Sequence, residues 1–161
     1  MKKRSKYKPK GVRLDVMTWV QSGMKPFTSV SIAVDIRIKN HVALDQLRLG
    51  MANKEDIDIL IGAFNMMEGF SRMGIGNDWS AEIRAGQDAL LSVARRGVQR
   101  DMRFVSTGPE LQAINLAMEI HDAQLDNCTV RQLEQALDIV QEDVIHKRAR
   151  AINATENKIS A

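Results

Sequence analysis

Thr107-Gly-Pro-Glu-Leu-Gln-Ala-Ile-Asn-Leu-Ala-Met-Glu-Ile-His-Asp-Ala-Gln-Leu125 is the stretch that decides how this chain is built. Thr107 can accept a hydrogen bond from the amide three residues on, and Glu110 can reach back to the Thr107 amide. Pro109 stands in the first turn, where a missing N–H costs least. Leu111, Ile114, Met118 and Leu125 then recur at helical spacing on one stripe, with His121 in the stripe's remaining place. The same logic returns in Thr129-Val-Arg-Gln132, which opens a last helix with Leu133, Leu137, Val140 and Val144 on one face. His146, Lys147, Arg148 and Arg150 fall in its final turns, where cations complement the helix dipole.

Working back towards the N-terminus, Asn53 caps a helix with Asp56 in its first turn. That helix carries two apolar rows: Ile57, Leu60, Ile61, Phe64 and Met67, and beside them Ile59, Ala63, Met66, Phe70 and Met73. Gly74-Ile-Gly-Asn-Asp78 reads as a loop, and Ser80 or Asp78 as the cap of a helix bearing Ile83, Leu90, Val93 and Ala94 to about Val98. Asn40 can cap a shorter helix that Gly50 ends. Helices joined by such short loops predict a mainly α protein, an antiparallel bundle of four to five helices. One segment resists this pattern. Val30, Ile32, Val34, Ile36 and Ile38 alternate strictly, which is a strand period, and Met102-Arg-Phe-Val105 is the available partner for a short strand pair. A helix is the alternative.

Composition narrows the class. The chain has 161 residues, with 44% hydrophobic and 27% charged, which suits one packed domain and argues against global disorder. Aromatics are only 4% against nine Met, so the core must be built from aliphatics and Met, as packed helices allow. The lone Cys128 cannot close an internal disulfide. No uninterrupted apolar run follows the basic N-terminus, and charges recur too often for a membrane span. The expected setting is cytoplasmic, with no membrane partner.

Charge is segregated. Lys2, Lys3, Arg4, Lys6, Lys8, Lys10 and Arg13 place seven cations in the first thirteen residues, with no acid before Asp15. The whole chain carries +3, so subtracting those seven leaves residues 14–161 at −4. The organisation expected is a basic extended arm (1–13), a single helical domain (14–152) and a frayed tail (153–161), with Leu14 to Val20 anchoring the arm. Cations interleaved with Tyr7 suit nucleic acid: they neutralise phosphates while the ring stacks on a base. The competing reading is a solubilising tail.

The body offers one polar constellation. Asn115, Glu119, Asp122 and Asp126 flank the stripe that holds His121, and the preceding helix carries Glu82, Arg84, Gln87 and Asp88. If these helices are neighbours, Gly86 lets them approach, and the two sets can form a pocket for a ligand. A buried network that fixes helix register is the competing reading. A di-metal bundle needs Glu-x-x-His, whereas Glu119-x-His121 splits the two groups by about 200°. Asp122, about 100° round from His121, is poorly placed to orient its ring. Cys128 precedes a helix N-terminus, which lowers a thiol pKa, but a small buried side chain is the other role open to it. Gly74-Ile-Gly76 lacks the rest of a phosphate loop. No catalytic residue, metal site or cofactor site is therefore expected. The doubled apolar rows of 59–73 read as core, or else as a partner groove or homo-oligomer face.

Lys6-Tyr-Lys-Pro-Lys-Gly-Val-Arg-Leu-Asp15, Ile83-Arg-Ala-Gly-Gln-Asp-Ala-Leu90 and Leu116-Ala-Met-Glu-Ile-His-Asp-Ala-Gln-Leu125 together resemble small uncharacterised proteins of tailed phages and prophages. The resemblance implies a bacterial cytoplasm during infection, and nucleic-acid handling or host takeover, with no catalytic residues to carry over. The leading expectation is a non-enzymatic phage-type accessory protein that binds nucleic acid or another polyanion through the arm. The alternative is an anti-defence inhibitor that binds a host protein, or sequesters a nucleotide signal, through the polar cluster or the Met-rich face.

Overall fold

The computed structural model describes residues 31–146 as five α-helices. These are α1 (Ser31–Arg48), α2 (Lys54–Arg72), α3 (Ser80–Gln99), α4 (Gly108–Asn127) and α5 (Val130–Ile145), with a 3-10 turn, Asn77–Trp79, leading into α3. The basic arm, its anchoring segment and the tail lie outside the described residues.

Local signals set three of the helix starts. Asn53 Oδ1 accepts from the amides of Glu55 (2.7 Å) and Asp56 (3.1 Å), while Asp56 accepts from the Asn53 amide at 2.9 Å. Thr107 and Glu110 exchange the reciprocal pair at α4, and Thr129 and Gln132 do so at α5. At α3 the expectation fails: Trp79 is the cap and makes no side-chain hydrogen bond, and neither Ser80 nor Asp78 fills that role. Gly50, at φ +68°, ends α1 in the left-handed conformation expected of it.

The strand reading is overturned. The alternating segment lies in α1, apart from Val30, which is outside the described residues, and no strand forms among the described residues. Met102–Val105 forms no strand either, so an isolated strand here would have left its backbone groups unpaired, whereas a helix satisfies its own. The alternation also misled about which residues face inwards. Val34 and Ile38 are exposed, while Ala33, Asn40, Ala43, Leu44 and Leu47 are buried at helical spacing. Asn40 is therefore not a cap but a buried mid-helix residue.

Helix α2 is the axis of the fold, since it packs against each of the other four helices. It runs through two apolar cores. The larger joins Leu44 and Leu47 of α1, Leu60, Phe64 and Met67 of α2, Leu90 and Val93 of α3, and Ile114 and Met118 of α4. The smaller gathers Phe70, Leu125, Cys128, Leu133 and Ala136. The doubled rows on α2 are thus used internally. Phe64, Met67 and Phe70 are fully buried, and Ile59, Met66 and Met73 pack against the cores, so this face is core and not a partner groove. Among the described residues no helix is long and apolar enough to cross a membrane.

Two glycines set helix spacings. A Cβ on Gly69 would lie 3.0 Å from the Ala136 carbonyl oxygen of α5. A Cβ on Gly86 would lie 2.4 Å from the Ala117 Cβ of α4, with the Ala113 carbonyl and the Phe64 ring close behind. Gly86→Ala should therefore force α3 and α4 apart and destabilise the fold by about 1–3 kcal/mol. Gly62→Ala, at an open position of α2 with nothing within 4 Å, should stabilise it by about 1 kcal/mol. Urea unfolding of both variants checks the opposite signs.

Candidate functional site

The close approach of Gly86 to Ala117 decides the fate of the expected polar pocket. α3 and α4 are neighbours, as the pocket required, but they meet through small residues. Arg96 of α3 does grip the Glu110 carboxylate of α4, at 2.7 and 2.6 Å, but the polar groups expected to build the pocket are turned elsewhere.

Along one edge, α4 pairs with α1. Arg37 Nη2 donates to the Asp122 backbone carbonyl at 3.0 Å and also contacts the Asp126 carboxylate. His41 Nε2 lies 2.7 Å from Asp122 Oδ2. Arg48 donates to Asn115 Oδ1 through Nε (3.2 Å) and Nη2 (3.0 Å). On the far side, α3 pairs with α2. Gln87 Nε2 donates to the Phe64 carbonyl and to Glu68 Oε2, both at 3.2 Å, and Glu68 holds Arg72 at 2.8 Å. Arg84 joins Gln87, Glu68 and Arg72 around a small cavity of about 270 Å³. Glu82 is half-buried, Asp88 is exposed, and neither meets the α4 set. The eight expected residues are thus dispersed over two edges, the core and the surface.

His121 went to the core. It is 1% exposed and tilts against the Phe70 ring at a centroid distance of 6.4 Å, and among the described residues neither ring nitrogen has a hydrogen-bond partner. Burial pushes its pKa down to about 4; Asp122 opposes that shift, while Arg37 and His41 add to it. The ring is therefore neutral at pH 7 and is sealed from solvent. Cys128 is likewise interior. Burial pushes its thiol up to about 11, the reverse of the lowering that a helix N-terminus would cause. Among the described residues no three His, Cys, Asp or Glu side chains converge as metal ligands.

Glu119 is the member of the set that reaches a second, larger concave surface. The 74–79 loop and α4 enclose a groove of about 580 Å³, walled by Trp79, Ile75, Leu116, Ile120, Glu119 and Gln124. Gln124 holds the two sides in place: its Nε2 donates to the Met67 carbonyl at 3.2 Å and to the Ile75 carbonyl at 2.8 Å. Gly76, at φ +75°, passes so near that a Cβ there would lie 3.1 Å from that same nitrogen. Among the described residues the buried Gln124 Oε1 has no hydrogen-bond partner. Sequence reasoning missed this site. The available signals were the paired glycines of the loop and a glutamine one turn beyond His121, and neither has meaning until the loop folds back on α4.

The eight expected nucleic-acid-binding residues, Lys2 to Arg13 with Tyr7, lie outside the described residues. No protein-family model, no curated protein and no solved structure matches this chain.

The buried histidine has a consequence for acid stability. Its folded pKa is depressed, so the unfolded chain binds the extra proton first. Stability must then fall as the pH drops below the ordinary value of 6.5 towards about 4. Urea midpoints of the wild type should decline between pH 7 and pH 5, with a local slope of at most about 1.4 kcal/mol per pH unit from this group. In His121→Leu that part of the decline should vanish. Parallel pH profiles for the two proteins would contradict this account.

Proposed function

We propose that this chain is a non-enzymatic accessory protein that holds nucleic acid or another polyanion through its basic N-terminal arm, with an antiparallel helical bundle as its body. The observation that carries the reading is the charge segregation. Seven cations without an acid precede a body of net charge −4. An acidic body does not itself attract a polyanion, so attraction is confined to the arm, and phosphate contacts of that kind bind without regard to base sequence. Tyr7 adds a ring able to stack on an unpaired base. The resemblance to small phage and prophage proteins adds the setting, a bacterial cytoplasm during infection, to the same proposal.

The test compares the full chain with a version lacking residues 2–13, titrated with labelled single- and double-stranded DNA and RNA at 50 and 200 mM salt. The full chain should bind with a log–log salt slope of about −5 to −6 if all the arm's cations reach phosphates. The truncated chain should lose both the affinity and the slope. Equal binding by the two proteins would overturn the reading.

A further inference from the structure

We propose that the groove between the 74–79 loop and α4 is a binding site for a flat, uncharged heteroaromatic ring that presents N–H donors along one edge, a purine base of the guanine type. The lining residues on which this proposal rests all lie in the helical body, so it stands independently of what the arm binds.

Size and wall chemistry come first. The groove's volume of about 580 Å³ suits a small organic molecule. Trp79 stands at its wall 51% exposed, an amphipathic ring able to stack on a flat ligand. Leu116 is a second exposed apolar side chain on the same wall, and Ile75 and Ile120 complete an apolar lining suited to the faces of a ring.

The polar groups then select the edge. Gln124 is 2% exposed, and its Nε2 is committed to two backbone carbonyls. That orientation leaves its Oε1 as an acceptor without a donor among the described residues, which is costly for a buried group. Glu119 contributes a carboxylate to the same wall, and an ionised carboxylate only accepts. Gln124 Oε1 is closed off by its surroundings and holds the wall, so the Glu119 carboxylate is the acceptor open to the groove, and it suits a ligand that brings donors. The Watson–Crick edge of guanine offers N1–H beside an exocyclic NH₂, a pair matched to one carboxylate. Adenine offers an acceptor at N1 beside its amino group, and that acceptor would face the carboxylate's lone pairs. Among the described residues no Lys or Arg lines the groove, so a phosphate would find no cation among them and would be repelled by Glu119. The site therefore favours the base or nucleoside over the nucleotide.

The chain holds two tryptophans, so Trp19→Phe leaves Trp79 as the sole indole reporter. Guanosine, adenosine and guanosine monophosphate are titrated against this protein by fluorescence, and against the unmodified full chain by calorimetry. Guanosine should bind saturably, with adenosine and the monophosphate weaker by about tenfold or more, and deletion of residues 2–13 should leave guanosine affinity unchanged. Glu119→Gln and Trp79→Ala alter exposed positions, so each should keep the helical circular-dichroism signal of the wild type while weakening guanosine by about tenfold or more. Absence of a calorimetric signal at millimolar guanosine would overturn the proposal. So would unchanged affinity in Glu119→Gln, or equal or tighter binding of adenosine or the monophosphate.

Discussion

The contact between Gly86 and Ala117 sets how α3 and α4 meet. With no side chain on one helix and a single methyl on the other, α3 and α4 approach more closely than larger residues would permit. Ala113 and Phe64 stand just behind, so the same point also fixes how α2 meets that pair. Close-packed interiors transmit such constraints, because a wider gap would forfeit dispersion contacts along both helices. The broad apolar surface of α2 follows from this geometry. A helix touched by all four others needs apolar residues over most of its circumference, and Phe64, Met67 and Phe70 supply them.

The polar architecture is a consequence of the same approach. Charged groups that cannot enter a small-residue interface must find partners on its flanks. Arg37, His41 and Arg48 of α1 therefore meet Asp122, Asp126 and Asn115 of α4, while Gln87 of α3 turns to Glu68 and the Phe64 carbonyl of α2. These partly exposed pairs fix the register of the helices more than they add to stability, since solvent-screened ion pairs contribute little net energy. His121 is the exception. It is held neutral inside the bundle against Phe70, where its desolvation is not offset by any described hydrogen bond.

Two parts of the chain carry different chemistry. The arm is cationic and is suited to phosphates. The groove beside Trp79 is largely apolar, with one open carboxylate and, among the described residues, no cation, and it suits an uncharged ring. A protein that holds a polyanion through one and a base through the other would bind two ligands by separate physical means. Salt acts strongly on the first and weakly on the second.

Three of the helix starts and the composition were legible in the sequence, because they are local. Asn53 with Asp56, Thr107 with Glu110, and Thr129 with Gln132 satisfy orphan amides within four residues, so no distant partner has to be known. The mainly helical class and the uneven charge followed in the same way. The conformation of residues 31–39 was not legible. A period of two marks a strand only where another strand waits to pair, and the absence of that partner is a property of the whole fold. The polar constellation was visible as residue types but not as a site. Which helix answers Asp122 or Gln87 depends on where a methyl-sized contact places α3 against α4. The groove was decided by tertiary structure alone, since it exists only because a loop returns to α4 and Gln124 ties the two together across more than forty residues of chain.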